Sequence, residues 1–274
     1  MRAAPDATVI GVCTVLLRFL PGTEWPLLLA AVRDEFGERP WDPPAPHWPD
    51  RPTAWGGRDR LAGGTWLAVD RATPAVAALL NGVRREPLPN GERRPTRGTL
   101  PLAALRSNDN GDIVPGIRGR DALADYDGFH LLRADATRVD IWSWDGANFE
   151  QRALTPGDHI IVNVGLDNDE DPLVPHFRPL FAALPDPKPR PGLAPSVAWN
   201  GWLDLLLGDG LGPTDERGLI IDHVIADELG VKHHYGSSSA TLVAIGVDGS
   251  VRYDFTSTPA SPHWYEVVGA ERTA

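Results

Sequence analysis

A chain with a single cysteine cannot close a disulfide on itself, and Cys13 is the only one among 274 residues. The fold must therefore hold by packing, as expected of a reducing compartment, and a zinc site built on several thiolates is excluded. Lysine is nearly as scarce, with Lys188 and Lys232 alone beside a majority of arginines. With abundant Ala, Gly and Pro, this bias points to a bacterial gene rich in G and C. No apolar run approaches the roughly 20 residues that a membrane helix needs, and the first residues carry neither the apolar region nor the cleavage site of a secretory signal. The expectation is a cytoplasmic protein without membrane insertion. A net charge of −11 argues against nucleic-acid partners, because the overall field repels phosphates. There is no phosphate loop and no G-x-S-x-G elbow, and the histidines show no metal-ligand spacing, so neither cofactor nor metal is expected.

What the sequence does hold is β-rich at both ends. "VIGVCTVLLRFL" (9–20) and "WPLLLAAVRDE" (25–35) read as a hairpin, as do "GGTWLAVD" (63–70) with "AVAALLNG" (75–82). Between them, residues 39–55 are so rich in proline that helix and central strand are both ruled out, and a loop is expected. "TLPLAALRS" (99–107) has helical spacing; "GFHLLRAD", "RVDIWSWDG" and "DHIIVNVG" form a second group of strands. Residues 179–184, 197–209 and 220–230 read as helices, the last closed by Gly230, and "SATLVAIGVDGSVRYDFTS" as a hairpin turning at Asp248 and Gly249. Strands at both ends with helices between predict an α+β layered fold whose first and last strands share a sheet. The expected organisation is a leader or mis-annotated start over 1–12, one domain over 13–268 and a tail over 269–274. "LPDPKPRPGLAP" (184–195) resembles a linker but is read as joining elements of that one domain.

Cys13 sits on the first apolar strand, where a small buried hydrophobe is the ordinary role of the residue. A nucleophile needs thiolate, hence a cation or base within reach. Its own α-amine would serve if residue 13 were the mature N-terminus. That follows either from cleavage after Val12 or from translation that starts at Val12 through a GTG codon with loss of the initiator methionine. Arg33 and Asp34 end the second strand, where the arginine could lower a thiol pKa and the carboxylate could hold an ammonium or orient the arginine; an exposed ion pair is the plain alternative. Asn81 and Asn163 each end an apolar run and suit either an oxyanion hole or a turn. "AGGTWL" brings a glycine pair beside Trp66, fit for pocket lining or for core. Trp41, Trp48 and Trp55 hint at an apolar or aromatic ligand.

"CTVLLRF", "LAAVRDEF", "GGRDRLAGGTWLAV", "ALLNGVR", "TRGTLP", "YDGFHLL", "LTPGDHIIVN" and "YGSSSATLVAIGVDGSVRYDF" follow one another in the order of the NRDE family, also called the transport and Golgi organisation protein 2 family, which the chain resembles from Cys13 to about Trp264. The resemblance implies a four-layer αββα sandwich of the N-terminal nucleophile hydrolase type. It places Cys13 at the family's cysteine after the initiator methionine, Arg33 and Asp34 in the name motif, and Asn81 and Asn163 at its two asparagines. Val32 stands where asparagine is usual, and Ser238 where arginine is common, at a position read as substrate-binding together with Trp48 and Trp66. The implied activity is hydrolysis of a linear amide by a cysteine nucleophile, with a small-molecule amide or apolar ligand as partner. The alternative is a non-enzymatic carrier, since eukaryotic relatives are associated with heme trafficking and lipid homeostasis; oligomeric state is left open.

Overall fold

The computed structural model describes residues 13–86, 88, 92–106, 112–190, 192–226 and 230–268. The proposed leader and tail therefore lie outside the described residues. The strands are β1 (Thr14–Phe19), β2 (Leu27–Phe36), β3 (Trp41–Ala45), β4 (Ala54–Asp59), β5 (Leu67–Asp70), β6 (Ala75–Asn81), β7 (Phe129–Ala134), β8 (Val139–Trp144), β9 (Phe149–Ala153), β10 (Gly157–Val162), β11 (Gly165–Leu166), β12 (Asp222–Ala226), β13 (Lys232–Ile245), β14 (Val251–Thr256) and β15 (Tyr265–Val268). Among the described residues the α-helices are α1 (Leu100–Ala104), α2 (Gly119–Leu123), α3 (Leu173–Ala182), α4 (Pro195–Ala198) and α5 (Trp202–Leu205).

The strands pair in two antiparallel sheets. The first runs β11-β10-β1-β2-β13-β14-β15, with β12 added to β13; the second runs β3 to β9 in chain order. Alternation along each strand explains the packing. On the first sheet Val15, Leu17, Leu27, Leu29, Val243 and Ile245 face the second sheet, whose Leu67, Val69, Val76, Ala78 and Leu80 meet them in a shared core. The intervening residues Leu16, Leu28, Ala30, Val32, Leu242 and Ala244 face the other way and pack under Phe177, Phe181, Trp199 and Trp202 of α3, α5 and their surroundings. Likewise Ala75, Ala77, Leu131 and Trp142 turn outward beneath Leu100 and Leu102 of α1 and Leu123 of α2. The first and last long strands do share a sheet, as their sequences predict.

Two buried arginines fasten the helical side of the first sheet. Arg18 bonds Asp158 and Asp186 and donates to the carbonyls of Phe181 and Leu184 at the end of α3. Arg252 pairs with Asp254 at 2.7 Å and donates to the carbonyls of Arg190 and Leu193. The proline-rich stretch 184–195 is thus tied to the sheet at both ends.

Three expectations need correction. Residues 220–230 contain the strand β12, paired with β13 in the register Val224↔His234, because β13 extends further toward its start than its apolar half announces. The segment 39–55 is not all loop: β3 carries Pro43 and Pro44 as the outermost strand of its sheet, with a register break between Asp42 and Ala45, and an edge strand tolerates the missing donors. Residues 197–209 form two short helices separated at Asn200, whose φ of 49° interrupts the helix. The Asp248–Gly249 hairpin forms as expected, Gly249 supplying a φ of 83°.

Candidate functional site

Cys13 immediately precedes β1, a central strand. The pairs Thr14↔Val32 and Val15↔Ile161 continue outward to set Cys13 opposite Arg33 on one side and Asn163 on the other. Arg33 in turn pairs with Ser239. Asn163, Cys13, Arg33 and Ser239 therefore form one row across four neighbouring strands, at the end of the sheet and on the face turned toward the second sheet. A narrow cleft opens there, of about 20 Å³, lined by Cys13, Arg33, Trp66, Leu80, Ser239 and Thr241 among others. That is room for about one water molecule.

The sulfur is held by the backbone of Asp34. The Asp34 N–H donates to Sγ at 3.4 Å, and the thiol faces the Asp34 carbonyl at 3.5 Å as a donor. Burial, reinforced by the charge of Asp34, pushes the Cys13 thiol up to about 12, outweighing the Asp34 N–H bond and Arg33, which favour thiolate. The resting group is a neutral thiol whose proton points at a carbonyl. In the chain that carries its first twelve residues, iodoacetamide should accordingly modify Cys13 about a thousandfold more slowly at pH 8 than an exposed cysteine, with the rate still climbing above pH 9. A rate that levels off near pH 9 would contradict this environment.

Arg33 and Asp34, neighbours in sequence, face opposite sides of the sheet. Arg33 lies in the cleft, its guanidinium 4.3 Å from the ring centre of Trp66, with Glu35 at 3.3 Å and Ser238 Oγ at 2.8 Å. The carboxylate partner of Arg33 is therefore Glu35, two residues along on the same face, and not Asp34. Ser238 reaches Arg33 because the pairing of β13 with β2 shifts by one residue between Ser237 and Ser239, and Ser238 Oγ also donates to the Arg33 carbonyl. Trp66 can lie flat here only because position 57 is glycine: a Cβ on Gly57 would stand 2.3 Å from the indole ring.

The Asp34 carboxylate follows Val32 toward the helical side. It is buried, accepts from Ser237 Oγ at 2.6 Å, and Ser237 Oγ accepts from the Ile221 N–H at 3.0 Å. Burial raises its pKa to about 7, against the bond from Ser237 and the charge of Arg33.

Of the other expected residues, Asn163 stands in the row and its buried Oδ1 has no partner among the described residues. Asn81 lies at the exposed end of β6, outside the cleft, and Trp48 is buried under α1 with its Nε1 bonded to the Gly63 carbonyl. The structure brings neither to Cys13. Four further side chains contribute that the sequence alone does not single out: Glu35, Ser237, Ser239 and His130. His130, on β7, bridges the two sheets, with Nε2 3.1 Å from the Asn163 carbonyl and Nδ1 2.8 Å from Ser143 Oγ. Because a carbonyl only accepts, Nε2 carries the hydrogen and Nδ1 accepts from Ser143; burial lowers the His130 pKa and keeps the ring neutral. Among the described residues no group of three or more His, Cys, Asp or Glu is placed to hold a metal, and no helix is long and apolar enough to cross a membrane.

A family model described as "Transport and Golgi organisation 2" matches residues 12–185, more than half of the chain. The chain belongs to the Transport and Golgi organisation 2 family. The part matched to that family holds Cys13, Arg33, Asp34, Trp66, His130 and Asn163, and stops short of Ser237, Ser238 and Ser239, which reach the same site from β13. No curated protein matches the chain.

Proposed function

We propose that this member of the family is a cysteine amidohydrolase of the N-terminal nucleophile type, active when Cys13 is the first residue. The observation that carries the reading is the position of the sulfur: it opens a central strand, faces a cleft between two sheets, and is flanked in one row by an arginine and an amide. The packing of helices outside each of two facing sheets fits the αββα arrangement of that hydrolase type.

The neutral thiol makes a base obligatory, and the α-amine of residue 13 is the nearest candidate that a new N-terminus supplies. In the proposed reaction that amine takes the thiol proton, and the sulfur attacks an amide carbonyl. The developing oxyanion is met by Nδ2 of Asn163, and the ammonium returns its proton to the departing amine. Arg33, clamped by Glu35, Ser238 and Trp66, supplies fixed positive charge in the cleft, and Asp34 holds the sulfur through its backbone. Asn81 has no part in this arrangement. A lone, unbridged cysteine fits a cytoplasmic setting.

The size of the cleft favours catalysis over carriage. A bound drug-sized ligand fills roughly 300–1,000 Å³, whereas a reacting carbonyl needs only the space beside the sulfur, with the rest of the substrate outside. A neighbouring cleft of about 440 Å³ is fronted by His130, both of whose ring nitrogens are engaged, so it offers no free lone pair to a heme iron. The test is a chain made to begin at Cys13, assayed against a panel of linear amides beside the full-length chain. Turnover should appear on trimming and vanish in Cys13→Ala. Turnover that survives Cys13→Ala would reject the mechanism, and saturable binding of hemin with no hydrolysis would favour the carrier.

A further inference from the structure

Ser239 is 1% exposed, lines the Cys13 cleft, and its Oγ has no hydrogen-bond partner among the described residues. A buried hydroxyl left unpaired is costly, and native structures usually satisfy such a group with ordered water. The alternation of β13 fixes its direction. Val243 and Ile245 face the second sheet, so Thr241 and Ser239 face it too; Thr241 is engaged by the Tyr253 hydroxyl, whereas Ser239 is not. The neighbouring Arg33 is committed to Ser238, Glu35 and Trp66. The cleft volume of about 20 Å³ exceeds what one water requires and falls short of a second substrate molecule of any size.

We propose that Ser239 Oγ holds a water molecule in the cleft, and that this water deacylates the enzyme. The inference rests on the cysteine-hydrolase reading and extends it to the second half of the reaction. After the amine product leaves, the acyl group is a thioester on Cys13. The oxygen of the held water attacks the thioester carbonyl and gives one proton to the free α-amine of residue 13. The C–S bond breaks, the sulfur recovers that proton, and the products are a carboxylic acid and the original thiol. No oxidant, metal or further reactant enters. Ser239 is a positioning residue in this step, acting through the water it binds. It lies beyond the segment matched to the family model.

The experiment uses the chain that begins at Cys13, with p-nitrophenyl acetate as acyl donor. In the parent, a burst of nitrophenolate should accompany acetylation of Cys13, detected by mass. Ser239→Ala should leave the burst rate unchanged and slow the steady state about tenfold, so that acetyl-Cys13 accumulates. Ser239→Thr, which keeps a hydroxyl on a β-branched residue suited to a strand, should restore deacylation. A high-resolution crystal structure of the same chain should show a water within hydrogen-bond distance of Ser239 Oγ. Equal slowing of both phases, or of neither, or a dry cleft, overturns the proposal. A parent chain that never acetylates Cys13 overturns the hydrolase reading itself, and the crystal structure still decides separately whether Ser239 binds water.

Discussion

Replacing Arg252 with Met should destabilise the protein by about 3–5 kcal/mol, more than any change at the cleft surface. Its side chain and that of Asp254 are both 0% exposed. Nε and Nη2 grip the carboxylate at 2.7 and 3.0 Å, Nη2 also holds the Leu193 carbonyl, and Nη1 holds the Arg190 carbonyl and approaches Glu266. Trp199 Nε1 completes the carboxylate at 2.6 Å. Without the arginine, Asp254 keeps one donor for a full buried charge, and two carbonyls lose their partner. In a chain of this size each kcal/mol is worth roughly 2–4 °C, so thermal unfolding should shift down by about 10 °C or more. The double variant Arg252→Met with Asp254→Leu should recover part of the loss, because the uncompensated charge leaves with its partner. A single variant that melts within two or three degrees of the parent would show that the network is not closed as described.

The second large effect has the opposite sign. Asp34 titrates in the folded protein at about 7, far above its unfolded value. Between the two values the native state binds more protons than the unfolded one, so this group lowers stability as pH rises from about 4 to 7, and the penalty is complete above that. Three pH units correspond to about 4 kcal/mol. Asp34→Asn keeps an acceptor for Ser237 and removes the charge, so the variant should gain up to about 4 kcal/mol at pH 8 and almost nothing at pH 4, as read from urea unfolding across that range. A gain that is the same at both ends of the range would mean that packing, not charge, sets the difference. A carboxylate retained at such a cost, with its backbone on the only thiol, is what a working site looks like rather than a stabilising one.

Much of this arrangement can be read in the chain beforehand, and the unread part has identifiable causes. The hairpins formed by β1 with β2, β5 with β6 and β13 with β14 are local, so alternation and turn residues suffice to find them. β12 is equally local, with Ala226 paired to Lys232, but "DHVIA" could sit on a helix, and only the extended start of β13, which lacks an apolar pattern, offers it a strand to join. Cys13, Arg33 and Asn163 stand out by type and by their place at the ends of apolar runs. The adjacency of Arg33 and Asp34 misleads, because a strand sends consecutive residues to opposite faces. Glu35, at the next position on the cleft face, follows from that rule, whereas Ser239 needs the register of β2 on β13 and the shift at Ser238. His130 looks like any histidine in an apolar strand until the second sheet is laid against the first. Composition alone points Trp48 toward a ligand, but its indole packs in the cluster that holds α1.

The order of the first sheet has one more consequence. The segment matched to the family ends at residue 185, yet β13 and β14 enter from beyond it, and β13 lies against β2 from Phe36 down to Leu27. A fragment that stopped at that boundary would leave the whole flank of β2, apolar on both faces, as a template for other chains. The end of the family match is thus not a place where the polypeptide can be divided: the half that carries Cys13 has the flank of β2 covered only because the other half comes back to pair with it.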